Sequence, residues 1–92
     1  LCTPNNPTGN ELAEADVLGV LEACAGRALV VVDEAYGEFG GHPGYARRLA
    51  EFPHLVVLRT LSKAQGLAGA RVGSLIASPA IVALLRKIIP PY

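Results

Sequence analysis

The chain has 92 residues, a length that suits one small domain and buries only a modest fraction of its surface. Eight basic and eight acidic residues cancel, with both signs scattered, so no basic stripe is present to grip a phosphate backbone and a nucleic-acid partner is not expected. Hydrophobic residues make up 51% of the chain against 17% charged, a balance suited to a larger body than this length can build, yet no apolar run reaches transmembrane length and no membrane partner is expected.

Leu1-Cys2-Thr3 reads as the end of a strand already under way, and Pro4-Asn5-Asn6-Pro7-Thr8-Gly9 is a turn signature in which proline and glycine fix a loop. Val17, Leu18, Leu21, Cys24 and Ala25 recur at helical spacing, with Gly26 as the stop. Residues 28–32 form a continuous apolar, β-branched run, the pattern of a strand covered on both faces in a parallel sheet, and Asp33 ends it. Residues 37–44 are glycine-rich and read as a loop, followed by a short helix over residues 45–51. Residues 55–58 make a second buried strand and residues 72–77 a third. Between them lie Thr60, Ser62, Lys63 and a Gly/Ala-rich turn, with Arg71 eight residues after the lysine. Ser78-Pro79 opens a helix with a capping hydroxyl and a first-turn proline, and Ile81, Leu84, Leu85 and Ile88 line one of its faces.

Strands alternating with helices imply an α/β layered sheet, and in such sheets ligands bind beyond the carboxyl ends of parallel strands. Asp33 and Lys63 each follow a strand closely, which makes that end the expected site. Cys2 and Cys24 are too few for a disulfide framework and form no C-x-x-C pair, so they read as plain thiols in a reducing compartment, with the cytoplasm as the expected location. His42 and His54 lack metal-ligand spacing, and no metal is expected. The apolar composition, and an end at Pro90-Pro91-Tyr92 with nothing to close the domain, suggest an internal piece of a larger protein.

In order and spacing, residues 4–9, Val32-Asp33-Glu34-Ala35-Tyr36 and residues 59–73 resemble the cofactor-binding half of the fold type I pyridoxal-phosphate (PLP) aminotransferases. VVDEAYGEF, HLVVLRTLSKAQGLAGARVG and the closing KIIPPY resemble the histidinol-phosphate aminotransferase branch in particular, although that branch often has bulkier residues where Gly37 and Gln65 stand. The resemblance implies part of the mostly parallel, helix-covered sheet of the large domain. Residues 1–92 would be a partial PLP-binding large domain, with its N-terminal part and the C-terminal small domain outside the chain.

On that resemblance Lys63 forms the Schiff base with the cofactor aldehyde, and its freed amine moves a proton between the substrate α-carbon and the cofactor C4′. Asp33 pairs with the pyridine nitrogen, where a carboxylate keeps the ring protonated and makes it an electron sink. Asn6 and Tyr36 hydrogen-bond the phenolic oxygen. Arg71, with Thr60 and Ser62, anchors the phosphate through a planar guanidinium fork and two hydroxyls. Glu34 and Asn5 read as structural, and Arg59 matches the family without an assigned chemistry. Taken singly, each has a plainer reading: Asp33 as a cap, Lys63 as a solvated lysine, Arg71 as one half of a structural ion pair.

The activity implied is amino transfer from L-histidinol phosphate to 2-oxoglutarate, giving imidazole-acetol phosphate and L-glutamate in histidine biosynthesis, by a homodimer. Another class I/II aminotransferase, for example for aromatic amino acids, shares every cofactor residue. A threonine-phosphate decarboxylase-like lyase and an aminotransferase-like sensory domain of a regulator remain as further alternatives. The 92 residues by themselves are expected to be inactive.

Overall fold

Val30-Val31-Val32 is a β-branched run, and it forms the first strand, β1 (Val30–Asp33), in a computed structural model that describes residues 1–90. β2 (Leu55–Thr60) lies parallel beside it, Val30 opposite Leu55 and Asp33 opposite Leu58. On the other side of β1, Cys2 makes a parallel bridge to Asp33, the Leu1 amino group donates to the Val31 carbonyl at 2.8 Å, and the Thr3 N–H donates to the Asp33 carbonyl at 3.1 Å. Leu1-Cys2-Thr3 is therefore strand-like, as its sequence suggests.

The third strand, β3 (Gly73–Ala77), is the antiparallel member of a sheet expected to be mostly parallel. It runs antiparallel to β2, with Val56 opposite Ala77 and Thr60 opposite Gly73, so the sheet β1-β2-β3 is mixed. The segment between β2 and β3 holds a single 3-10 turn, Ala68–Ala70, and no α-helix to carry the long crossover that a parallel return requires. Pairing with β3 also carries β2 through Arg59 and Thr60, beyond the apolar run that ends at Leu58.

Helix α1 (Glu14–Cys24) covers one face of the sheet. Its buried residues Val17 and Leu21 join Val30 and Val32 of β1, Leu55 and Val57 of β2, and Tyr45 in the core. The alternation along each strand puts these side chains on one face, and burying each large apolar one is worth roughly 1.5–3 kcal/mol. α1 stops where expected. Gly26 takes φ +67°, and the N–H groups of Arg27 and Ala28 both return to the Cys24 carbonyl, a left-handed termination that glycine adopts without steric penalty. The opposite face is less covered. Val56 is buried there, while Val31 and Leu75 remain exposed.

Helix α2 (Pro79–Leu85) begins as its sequence predicts, with the Ile81 N–H donating to Ser78 Oγ at 3.5 Å and Pro79 in the first turn. Of its expected apolar face, Ile81 and Leu85 are half-buried, whereas Leu84 is exposed and Ile88 lies past the end of the helix. Residues 45–51 form a 3-10 turn, Ala46–Arg48, in place of an α-helix, and a second 3-10 turn, Gly37–Phe39, lies within the predicted loop. Pro91 and Tyr92, the end of the KIIPPY segment, lie outside the described residues. Among the described residues no helix is long and apolar enough to cross a membrane.

Candidate functional site

Leu1–Thr3, β1 and β2 are parallel neighbours, so the three segments that follow them leave the sheet at the same end. Those segments hold Asn6, then Asp33 and Tyr36, then Ser62 and Lys63. The antiparallel direction of β3 adds Arg71. Gly73 opens β3 opposite Thr60, the last residue of β2, so Arg71, two residues earlier, stands at this end as well. A parallel β3 would have put the arginine at the far end of the sheet.

Around Asn6 the loop is closed by its neighbour. The Gly9 N–H donates to the Asn5 carbonyl at 2.7 Å and Asn5 Nδ2 donates to Thr8 Oγ1 at 2.8 Å, so Asn5 is the turn residue and Asn6 is exposed. Asn6 and Tyr36, with Pro4, Pro7, Phe39 and Gly41, line a pocket of about 380 Å³. Lys63 Nζ lies 5.4 Å from the centre of the Tyr36 ring, within the range at which an ammonium is attracted to an aromatic face. The β2 exit and the β1 exit thus meet at Tyr36.

Asp33 is half-buried, and its Oδ1 accepts the Ala35 N–H at 2.9 Å, which leaves Oδ2 for a ligand. Thr60 Oγ1 donates to Ser62 Oγ at 3.0 Å and accepts the Ser62 N–H at 3.1 Å, so the two hydroxyls sit together. Thr60 lines a second pocket of about 350 Å³ with Arg59, Gln65 and Ser74. Arg71 is exposed, in the left-handed region at φ 53° and ψ 42°, and donates from Nη1 to the Ala68 carbonyl at 3.5 Å. A non-glycine residue held there is strained, and such strain concentrates at functional positions. Among the described residues, then, Asn6 and Tyr36 share a pocket, Lys63 approaches the Tyr36 ring, and Thr60 and Ser62 are hydrogen-bonded. Arg71 shares the sheet end without touching the other candidates, and the Asp33 carboxylate bonds only its own turn.

Gln65 Nε2 donates to Glu38 Oε1 at 3.1 Å, tying the segment after Lys63 to the turn after Tyr36. That hydrogen bond, helped by the residue's own N–H, holds the Glu38 carboxyl below its ordinary pKa.

Sequence patterning leaves one contact hidden. Glu34, read as structural, is 3% exposed, and its Oε2 accepts from Arg59 Nε at 2.9 Å, while Oε1 accepts the Tyr45 N–H at 2.6 Å. The available signal was Arg59 itself, a charge set against the end of an apolar strand and in need of a partner. Elsewhere, Glu14 bonds Arg47 and Arg48 at 2.8 and 2.9 Å with His42 at 3.6 Å, and Cys2 and Cys24 are free, half-buried thiols.

The chain is 55% identical over all its residues to histidinol-phosphate aminotransferase of Pectobacterium atrosepticum, and spans 26% of that protein. Among solved structures it is similar to histidinol-phosphate aminotransferase of Clostridium acetobutylicum, with a TM-score of 0.91 at 26% identity over 99% of this chain and 28% of the other. It is also similar to the Sinorhizobium meliloti enzyme of that name in complex with pyridoxal-5′-phosphate, with a TM-score of 0.86 at 34% identity over 97% and 25% of the two chains. The chain therefore spans about a quarter of the length of the curated relatives it matches. The family model for aminotransferase class I and II matches from residue 1 to residue 92 without leaving any of the chain outside it, and the chain belongs to that family.

Proposed function

We propose that this chain is the cofactor-binding part of a PLP-dependent aminotransferase large domain, and that the whole enzyme transfers an amino group from L-histidinol phosphate to 2-oxoglutarate. The observation that carries this reading is the convergence of Asn6, Asp33, Tyr36, Lys63 and Arg71 on one end of the sheet through the parallel β1–β2 pair and the antiparallel return of β3. The 55% identity to a protein of that activity supports the choice of substrate.

The donor set suits pyridoxal phosphate. Arg71 would offer a fork to the phosphate oxygens, and Ser62 an O–H whose oxygen Thr60 orients by donating to it. Asp33 Oδ2, free of the Ala35 N–H that occupies Oδ1, would accept the ring N–H and hold its proton. Asn6 and Tyr36, which line one pocket, would donate to the phenolic oxygen. When bound, the cofactor supplies an aldehyde that captures the substrate amine and a ring that takes up the electron pair released at the α-carbon. Lys63 is the base this chain brings to that chemistry. Its amine would take the proton from the α-carbon and return it to C4′, and the Tyr36 ring, 5.4 Å from Nζ, would stabilise the ammonium between the two transfers. The whole protein is read as a cytoplasmic homodimer acting on small-molecule amino donors and oxo acids.

The test uses the full-length protein, supplied with L-histidinol phosphate and 2-oxoglutarate. Formation of L-glutamate with one equivalent of the oxo product supports the reading. Carbon dioxide released from O-phosphothreonine without glutamate formation would favour a lyase instead, and glutamate formed only with aromatic amino acids would favour a related aminotransferase.

A further inference from the structure

Two loops carry the candidate groups: the one leaving β1 with Asp33 and Tyr36, and the one leaving β2 with Thr60, Ser62 and Lys63. Chemistry shared between them depends on the distance that separates their roots. At the roots themselves stand Glu34, next to Asp33, and Arg59, next to Thr60. We infer that the ion pair between buried Glu34 and the solvent-facing Arg59 is a positioning device that fixes the spacing of the two loops; the inference rests on the functional reading proposed above.

Four observations bear on it. Both Glu34 oxygens are engaged, Oε2 with Arg59 Nε at 2.9 Å and Oε1 with the Tyr45 N–H at 2.6 Å, in a side chain 3% exposed. The same residue is pinned through its backbone, since its N–H donates to the Leu58 carbonyl at 2.9 Å, so Glu34 is held on β2 by main chain and side chain together. Gly44 takes φ +92°, and a Cβ there would collide with Arg59 Nη2 and crowd Glu34 Oε2 at 3.1 Å. The positive φ already calls for glycine there, and the pair occupies the space its missing Cβ leaves. Finally, Oε1 reaches the backbone of Tyr45, whose side chain belongs to the core, so the pair is referenced to the rigid body of the sheet.

A role in stability alone accounts poorly for this arrangement. A carboxylate taken out of water loses hydration that its two partners must first offset, and apolar side chains of similar size usually serve stability as well or better. A planar guanidinium does something an apolar contact does not: it fixes direction as well as distance. The pair sits one residue from Asp33 and one from Thr60, where direction matters most. The Gln65–Glu38 hydrogen bond links the same two loops nearer their tips, so they are joined at root and rim.

The experiment compares wild-type full-length protein with Glu34→Gln, Arg59→Lys and, as a control, Glu51→Gln, which breaks the exposed Arg48–Glu51 pair of the same 2.9 Å length. Measured for each are kcat and KM, thermal unfolding, and the absorbance of protein-bound PLP against pH. Borohydride labelling of wild-type Lys63 comes first. If Lys63 is not labelled, the functional reading fails and this inference with it. With Lys63 labelled, Glu34→Gln and Arg59→Lys are expected to lower kcat about 100-fold, the scale of an ångström of misplacement, with KM little changed. Both should also shift the midpoint of the absorbance titration, while Glu51→Gln matches wild type. Arg59→Lys preserves the charge balance and carries the test if Glu34→Gln does not fold. Variants that melt earlier yet keep wild-type kcat and titration midpoint in the folded protein would overturn the inference and leave the pair a structural brace.

Discussion

Thr60 faces Gly73 across an antiparallel ladder, and this one pairing returns Arg71 to the end of the sheet from which Lys63 departs. The consequence is chemical. A lysine and an arginine are brought to one end of the sheet by strand direction, without contact between the two side chains; on the proposed reading the first would bond the cofactor aldehyde through its neutral amine and the second would hold the phosphate.

Asp33 is expected to matter more for turnover than for binding. In Asp33→Ala the proposed phosphate anchor of Arg71, Thr60 and Ser62 would survive, so PLP should stay bound, more weakly. Turnover should fall by at least about 100-fold, the scale on which a preorganised electrostatic partner acts. Parallel measurement of PLP affinity and kcat checks this, and an Asp33→Ala protein that transaminates at nearly the wild-type rate would remove the assigned role.

Arg71 separates into a side-chain part and a backbone part. Arg71→Ala and Arg71→Gly should both weaken PLP binding, because each deletes the guanidinium fork. The glycine variant should be the more stable of the two by roughly 1 kcal/mol, since φ 53° is strained for alanine and not for glycine. Chemical denaturation of the two apo variants measures that difference.

Glu14 fastens α1 to the Ala46–Arg48 turn through Arg48 and Arg47. The hydrogen bond from Arg48, with the charges of Arg47, Arg48 and His42, holds its carboxyl below the ordinary range despite some opposing desolvation. A carboxyl depressed in the folded state contributes stability above its unfolded pKa and loses it as pH falls through the folded one. Thermal melts from pH 6 down to about 3 should therefore show a decline that is shallower in Glu14→Gln, and salt should reduce the difference because the cluster is partly open to solvent.

Much of this was legible in the sequence because hydrophobic period and turn chemistry report burial directly. Val30–Val32, Leu55–Val57, the stop at Gly26 and the Ser78 cap all follow from it. Strand direction does not, since an apolar run reads the same in either sense, and so the antiparallel β3 came out only in the structure. The end of β2 was placed short for a related reason: Arg59 and Thr60 are held by backbone pairing, which side-chain polarity conceals. The Glu34–Arg59 pair joins residues far apart in the chain and was invisible until the two strands lay side by side. The candidate site is proposed from the spacing of its three segments, and the geometry adds the Tyr36–Lys63 contact and the strain at Arg71.

By themselves these 92 residues are expected to aggregate. Val31 and Leu75 are exposed on the sheet's less covered face, and Leu84 is 62% exposed on α2. Such surface, beside strand edges with few partners, invites association. Light scattering and thermal unfolding of the 92-residue chain check this; a monomer that melts cooperatively and binds PLP would contradict it.

The most direct measurement is borohydride reduction of the full-length protein in the presence of PLP, followed by peptide mapping. The account predicts a pyridoxyl group on Lys63, and its disappearance, together with turnover, in a folded Lys63→Ala variant. Label on a different lysine, or on none, would contradict it.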